Sequence, residues 1–197
     1  MAPFFPPLPP APPQTRPTHR ATPVWLEPPR EELPVALPVL RLLGRSEHAA
    51  IHLVRVDVHR EGLAFAMRLD VRGDDDVLHR LGRLVQPFRF GVTLADGTSS
   101  IAAGGGDWHM TLGDEPPESP HLMLRSHGGS GDGSSVVHRH SAWLWPTPPS
   151  GALTVHVEAA IVGIAETSTT IDLALDGVAD GALDVWNERQ RSERSTP

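Results

Sequence analysis

The chain has 197 residues, 39% of them apolar, and a formal net charge of −7, which fits one domain with tails and offers no basic footprint for nucleic acid. It contains no Cys, no Tyr and no Lys; all seventeen basic residues are Arg, and they are scattered along the sequence. A thiolate nucleophile, a disulfide framework, a Cys-ligated metal, a Schiff base and a P-loop lysine are thereby excluded.

Residues 1–33 hold proline at positions 3, 6, 7, 9, 10, 12, 13, 17, 23, 28 and 29. Proline removes backbone donors and fixes φ, so this stretch favours polyproline II and cannot nucleate a core. It reads as a disordered arm. Pro6-Pro7-Leu8-Pro9-Pro10 either presents a PxxP face to an aromatic-lined groove or is simply solvated. Trp25 and Leu26, near its end, are the side chains expected to dock back onto the domain. The stretch lacks the basic region and uninterrupted apolar run of a secretory signal, and no segment approaches a membrane span, so the expected location is the cytoplasm.

From Pro34 the text changes to short alternating runs. Val35, Leu37 and Val39 predict a strand at a sheet edge, where proline is tolerated. Residues 49–59 predict a second strand whose phase shifts near Leu53, as a bulge would cause. After the turn Arg60-Glu61-Gly62, the residues Leu63, Phe65, Met67, Leu69 and Val71 alternate with polar and small ones, so 49–72 is a predicted hairpin. Residues 74–84 are a polar excursion with one or two helical turns. Phe88, Phe90, Val92 and Leu94 lead into Asp96-Gly97, a strong hairpin turn, with a strand returning through Ile101. Gly104-Gly105-Gly106 and residues 113–120 read as loop, Leu122 and Leu124 as strand, and Gly128 to Gly133 as a glycine loop. Val136 to Trp145 is expected to form a hairpin with Gly151 to Ala159 across Pro146-Thr147-Pro148-Pro149-Ser150. Trp143 and Trp145, on one face, are expected to pack between sheets. A last strand near Thr167 to Leu175 is followed by a helix capped by Asp176, with Val178, Ala179, Ala182, Leu183 and Trp186 at helical spacing.

Many short strands with turn signals between them, and no parallel βαβ unit, predict a mainly β fold. The expected architecture is an antiparallel two-sheet β-sandwich, immunoglobulin-like or jelly-roll-like, with a short C-terminal helix. Residues 1–33 form the arm, 34–191 the sandwich with its helix, and 192–197 a disordered tail. Trp25 with Pro28-Pro29 and Glu32-Leu33-Pro34, Trp143-Leu144-Trp145-Pro146 with Pro148-Pro149, Val157-Glu158, Gly163-Ile164, Glu166-Thr167 and Trp186 together resemble a family of uncharacterised actinobacterial β-sandwich proteins. That resemblance covers most of residues 25–186 and implies no activity and no functional residues.

The one constellation with chemistry is built on that expected last hairpin. His138 and His140 are two apart on a strand and share a face, as do His156 and Glu158 on the next. Closing the loop with Trp145 opposite Gly151 sets His140 against His156 and His138 against Glu158. Cross-strand Cβ atoms roughly 5 Å apart would let the four hold zinc or another divalent ion. The plainer reading is that Leu153, Val155 and Val157 face the core, leaving His156 and Glu158 on a solvated face. His-x-His on a strand also has a cupin ring to it, but no Glu follows His140 and no second motif appears. Asp107, His109, Ser134 and Ser135 supply triad residue types without a nucleophile elbow. Neither glycine run has phosphate-loop spacing, and Asp74-Asp75-Asp76 point in different directions.

The function expected by elimination is a non-catalytic protein-binding or assembly module that engages an unknown protein partner, with no nucleic acid, membrane or cofactor. The alternative is a divalent-metal-binding protein or metal-dependent hydrolase centred on His138, His140, His156 and Glu158, with a metal-bound water as nucleophile.

Overall fold

The computed structural model describes residues 22–73, 88–104, 115–132 and 134–186. Expectations placed on residues 1–21, on 74–87 with the acidic triplet and its helical turns, on Gly105, Gly106, Asp107, His109 and residues 113–114, on Gly133, and on 187–197 with the C-terminal tail lie outside them.

The described residues are mainly β: two largely antiparallel sheets pack face to face, and a third, two-stranded one pairs β1 (Glu32–Leu33) with β13 (Leu183–Asp184). The larger sheet has strand order β2 (Val35–Leu37), β4 (Ala49–Val58), β5 (Leu63–Arg72), β10 (Ser135–Trp145), β9 (His121–Asp132) and β8 (Ala103–Gly104), with β3 (Arg41–Arg45) also on β4. Among the described residues its only parallel pair is β8 with β9. The smaller sheet runs β12 (Ile164–Leu173), β11 (Gly151–Ala159), β6 (Arg89–Thr93), β7 (Ser99–Ile101).

The period-two text explains most of this. Ile51, Leu53, Val56 and Val58 on β4 and Leu63, Phe65, Met67, Leu69 and Val71 on β5 are buried, and the two strands pair as the expected hairpin, Ala49 against Val71. The register shifts between Leu53 and Arg55; this bulge turns Val54 to the outside and restores Val56 to the core. From the facing sheet come Phe90, Val92, Leu153, Val155, Val157, Ile171 and Leu173. Phe65 and Phe90 meet across the interface with ring centroids 5.7 Å apart. The Asp96-Gly97 turn, with Gly97 at φ 85°, joins β6 to β7 as expected.

Four features of strand pairing and secondary structure differ from the expectation. First, β10 does not form a hairpin with β11. It pairs with β5 on one side and β9 on the other, whereas β11 pairs with β12 and β6. The proline-rich link 146–150, which offers few backbone donors to close a hairpin, carries the chain from one sheet to the other. Second, Gly128 to Asp132 continues β9, paired with Ser135 to His138. A Cβ on Gly131 would collide with the carbonyl oxygen of Ser135, so here glycine permits close strand approach. Third, the expected C-terminal helix is a 3-10 turn, Val178–Gly181, followed by β13 (Leu183–Asp184). Gly177 and Gly181 lower the helical propensity, and β1 (Glu32–Leu33) supplies a ladder for β13 instead. Fourth, β3 carries no alternation of its own. It closes one corner of the sandwich, where Thr167 Oγ1 donates to the Leu43 carbonyl at 2.6 Å.

Residues 22–31 lie as a strap across the outer face of β9 and β10. Leu26 is buried, Trp143 Nε1 donates to the Val24 carbonyl at 2.8 Å, and Arg125 donates to Glu27 Oε2 at 2.6 Å and to the Leu26 carbonyl at 3.2 Å. Trp143 and Trp145 therefore pack under this strap rather than between the sheets. The outward row on β9 and β10 is Met123, Arg125, Ser141, Trp143 and Trp145; the inward row is Val136, His138, His140, Ala142 and Leu144. Glu32, at the end of the strap, meets His59 Nδ1 at 3.1 Å and Arg60 at 2.6 Å, and Arg60 also donates to the Ala182 carbonyl. One carboxylate thus ties the strap, the β4–β5 turn and, through Arg60, the C-terminal segment.

Candidate functional site

The four residues expected to share a metal lie in two sheets. His138 and His140 are on β10 and face the interior; His156 and Glu158 are on β11, whose core-facing residues are Leu153, Val155 and Val157, so they project from the opposite outer face. Among the described residues no group of three or more His, Cys, Asp or Glu is placed to hold a metal ion. The four-ligand centre is corrected for the same reason as the hairpin: the strands that carry it are not neighbours.

His140 is 3% exposed. Its ring packs edge-on to Phe88 with centroids 4.8 Å apart, and its Nε2 has no hydrogen-bond partner among the described residues. Burial, with the nearby His138 and His127 rings, pushes its pKa down to about 4, so it is neutral at pH 7. His138, 6.2 Å away between centroids, is also lowered by burial.

His156 and Glu158 do form part of a site, with partners that the sequence could not supply. On the outer face of the smaller sheet, cross-strand pairing aligns Ser168, His156, Gly91 and Ile101 in one row and Thr170, Thr154, Thr93 and Ser99 in the next. His156 Nε2 lies 2.9 Å from Thr93 Oγ1 and Nδ1 lies 2.8 Å from Ser168 Oγ; Thr93 Oγ1 continues to Ser99 Oγ at 2.9 Å. Arg89 reaches Glu158 at 2.8 Å. Thr93, Ser99, His156, Arg89 and Glu158, with Ile101 and Glu166, line a groove of about 220 Å³; Ser168 lies outside its lining and holds His156 from the other side. Gly91 opens the groove. Glycine in mid-strand marks a place where another group approaches the backbone, and here the missing side chain leaves the floor beside His156 clear.

A wider depression of about 450 Å³ lies at the far end of the larger sheet, beside β3 and β4. Several of its charged groups are engaged with one another or with backbone: Arg68 with Asp70 at 2.9 Å, Arg72 with the Glu47 carbonyl, and His52 facing Asp70 at 3.7 Å. The groove on the smaller sheet is the better candidate, because its hydrogen-bonding side chains are held in fixed positions and face outward.

Among the described residues no helix is long and apolar enough to cross a membrane. No protein-family model, no curated protein and no solved structure matches the chain.

Proposed function

We propose that the protein is a non-catalytic binding module that engages a protein partner through the groove on its four-stranded sheet. The observation that carries this reading is the set of His156, Thr93 and Ser99, positioned by cross-strand pairing around a glycine floor, with Ser168 fixing the His156 ring from behind. Side chains fixed in this way lose little entropy on binding.

Catalysis by the same groups is the weaker reading on chemical grounds. Thr93, His156 and Ser168 form a hydroxyl–imidazole–hydroxyl chain, and a hydroxyl behind the imidazole cannot balance the charge of an imidazolium as a carboxylate does. The strands beneath are paired on both sides, β11 with β12 and β6, and β6 with β11 and β7. Their backbone donors are committed to ladders and do not form an oxyanion hole. Two carboxylates, Glu158 and Glu166, stand against one guanidinium, Arg89, so the partner segment brings hydrogen-bond donors and positive charge.

The test is affinity capture with the wild-type full chain and with Gly91→Leu, which fills the groove from its floor. A partner retained by the wild type and lost from a Gly91→Leu protein of equal melting temperature supports the reading. The same set of partners with both proteins, or nothing above a bare-resin control, overturns it.

A further inference from the structure

One end of the sandwich holds a pit that neither the groove nor the strap uses. It encloses about 160 Å³. Pro148, Leu153, Leu173 and Leu175 are buried at its floor, and Leu94 forms a wall. Its mouth is open to solvent, where Asp96, Pro149 and Ala152 are exposed. One side is the link that carries the chain from one sheet to the other. Pro148 and Pro149 have fixed φ and no N–H, so that side is stiff and offers no donor.

The polar groups around the pit are engaged elsewhere. Leu94 N donates to the Thr98 carbonyl at 2.8 Å, and the Leu94 carbonyl accepts from Gly97 at 3.0 Å. Leu175 N donates to Ser150 Oγ at 2.8 Å, and the Leu175 carbonyl accepts from Val178 at 3.0 Å. Among the described residues the lining has one polar side chain, Asp96, which stands at the mouth and accepts from Thr98 N at 2.9 Å. No buried polar side-chain atom that lacks a partner belongs to the lining. Water is held in a cavity by polar partners, and an apolar cavity of roughly 150 Å³ stays dry and takes up benzene. The exposed large apolar side chains all lie outside the lining. The mouth therefore lacks the surrounding contacts that shield a protein partner's anchoring side chain from water. A free molecule needs no such surround.

We propose that this pit binds a small, uncharged apolar molecule of single-ring size. The ring buries its surface against Leu94, Leu153, Leu173 and Leu175 in a site that is already formed, so little ordering opposes binding. The pit shares no lining residue with the groove around Gly91, so either proposal can fail without the other.

The probe is benzene, added to the full-length protein with its leucine methyl groups labelled with carbon-13 for NMR. Saturable shifts of the Leu94, Leu153, Leu173 and Leu175 signals are expected, with that of the exposed Leu40 unmoved. The melting temperature should rise with benzene concentration, as for any ligand of the folded state. Pyridine has the same shape with a ring nitrogen for which these walls supply no donor, and it should bind about tenfold more weakly or worse. Leu94→Phe places a ring in the pit and should abolish saturation. Leu94→Ala enlarges the pit and should admit naphthalene, which the wild type refuses, so a Leu94→Phe protein that does not fold still leaves a test. The proposal is overturned if no leucine signal saturates, or if pyridine binds as tightly as benzene. It is also overturned if folded Leu94→Phe binds benzene as the wild type does, or if naphthalene does not distinguish Leu94→Ala from the wild type.

Discussion

Gly62 shows how a single position can be dictated by its neighbours rather than by its own conformation. It closes the β4–β5 turn, where His59 N donates to the Gly62 carbonyl at 2.9 Å. A Cβ there would meet the carbonyl oxygen of Leu144 and, at 2.6 Å, the ring of Trp143. The first of these is backbone in a central strand and cannot yield. The second is a tryptophan held from above by the strap. Gly62→Ala should therefore destabilise the protein by about 3 kcal/mol, the upper end for overpacking a filled site, read as a lower urea midpoint with an unchanged slope. A midpoint within experimental error of wild type would mean that the turn relaxes freely. The turn itself was legible as Arg60-Glu61-Gly62, but the reason for its glycine was not, because the atoms that forbid a side chain come from β10, some eighty residues away in sequence.

At the scale of elements, the strap is held by one carboxylate in particular. Glu27 lies between Arg125 at 2.6 Å and Arg30 at 3.1 Å, with its own side chain 10% exposed. Burial raises its pKa, but the bonds from Thr22 and Arg125 and the charges of both arginines outweigh that and leave it lowered. Removing it as Glu27→Ala takes the carboxylate from beneath two guanidiniums. Because Arg125 is partly solvated, about 2 kcal/mol is a fair discount from the figure for a fully buried pair. The loss should be local. Residues 22–31 should become sensitive to limited proteolysis, and tryptophan emission should shift to the red, at urea concentrations below the main transition. A variant whose strap is as protected as wild type would show that Leu26 and the Trp143 bond suffice. This element also marks where reading the sequence stopped working. Trp25 and Leu26 were expected to dock, and do. Their receptor was misplaced because Trp143 and Trp145 were assigned to the interior. That assignment left Val136, His138, His140, Ala142 and Leu144 outside, although their parity matches a core row interrupted by two imidazoles. Strands with one dominant apolar row, β4, β5, β6 and β11, were readable. On β10 both rows are heavy in apolar atoms, since one packs on the other sheet and one under the strap, and alternation alone does not rank them. The same ambiguity produced the expected hairpin and the four-residue metal centre that rested on it. His156 and Glu158 were correctly set on an outward face, yet Thr93, Ser168 and Arg89 come from strands whose pairing the local text does not specify.

For the molecule as a whole, burial favours the neutral form of four imidazoles, His138 and His140 on the inward row of β10 and His59 and His121 on its strap side. His59, His121, His138 and His140 all have pKa values lowered by burial, although Glu32 and Asp57 pull His59 partly back. In the unfolded chain each would titrate near 6.5. Between that value and the folded one, the unfolded state binds protons that the folded state does not, so stability rises with pH through the window and falls as the solution is acidified. For His140 the window runs from 6.5 to about 4, which is on the order of 3 kcal/mol at most. Glu27, lowered as a carboxylate, adds a further loss below its ordinary range. The strap and the sandwich interior are thus sensitive to acid over adjoining pH ranges. Urea midpoints should fall from pH 7.5 to pH 5. His140→Leu, which keeps an apolar side chain against Phe88 and removes the unpaired Nε2, should be as stable as wild type or more so at pH 7.5 and should flatten the slope between the two pH values. An unchanged wild-type midpoint across that interval, or a His140→Leu slope as steep as that of wild type, would mean that His140 finds a proton acceptor or solvent that its surroundings on β5, β9 and β10 do not supply.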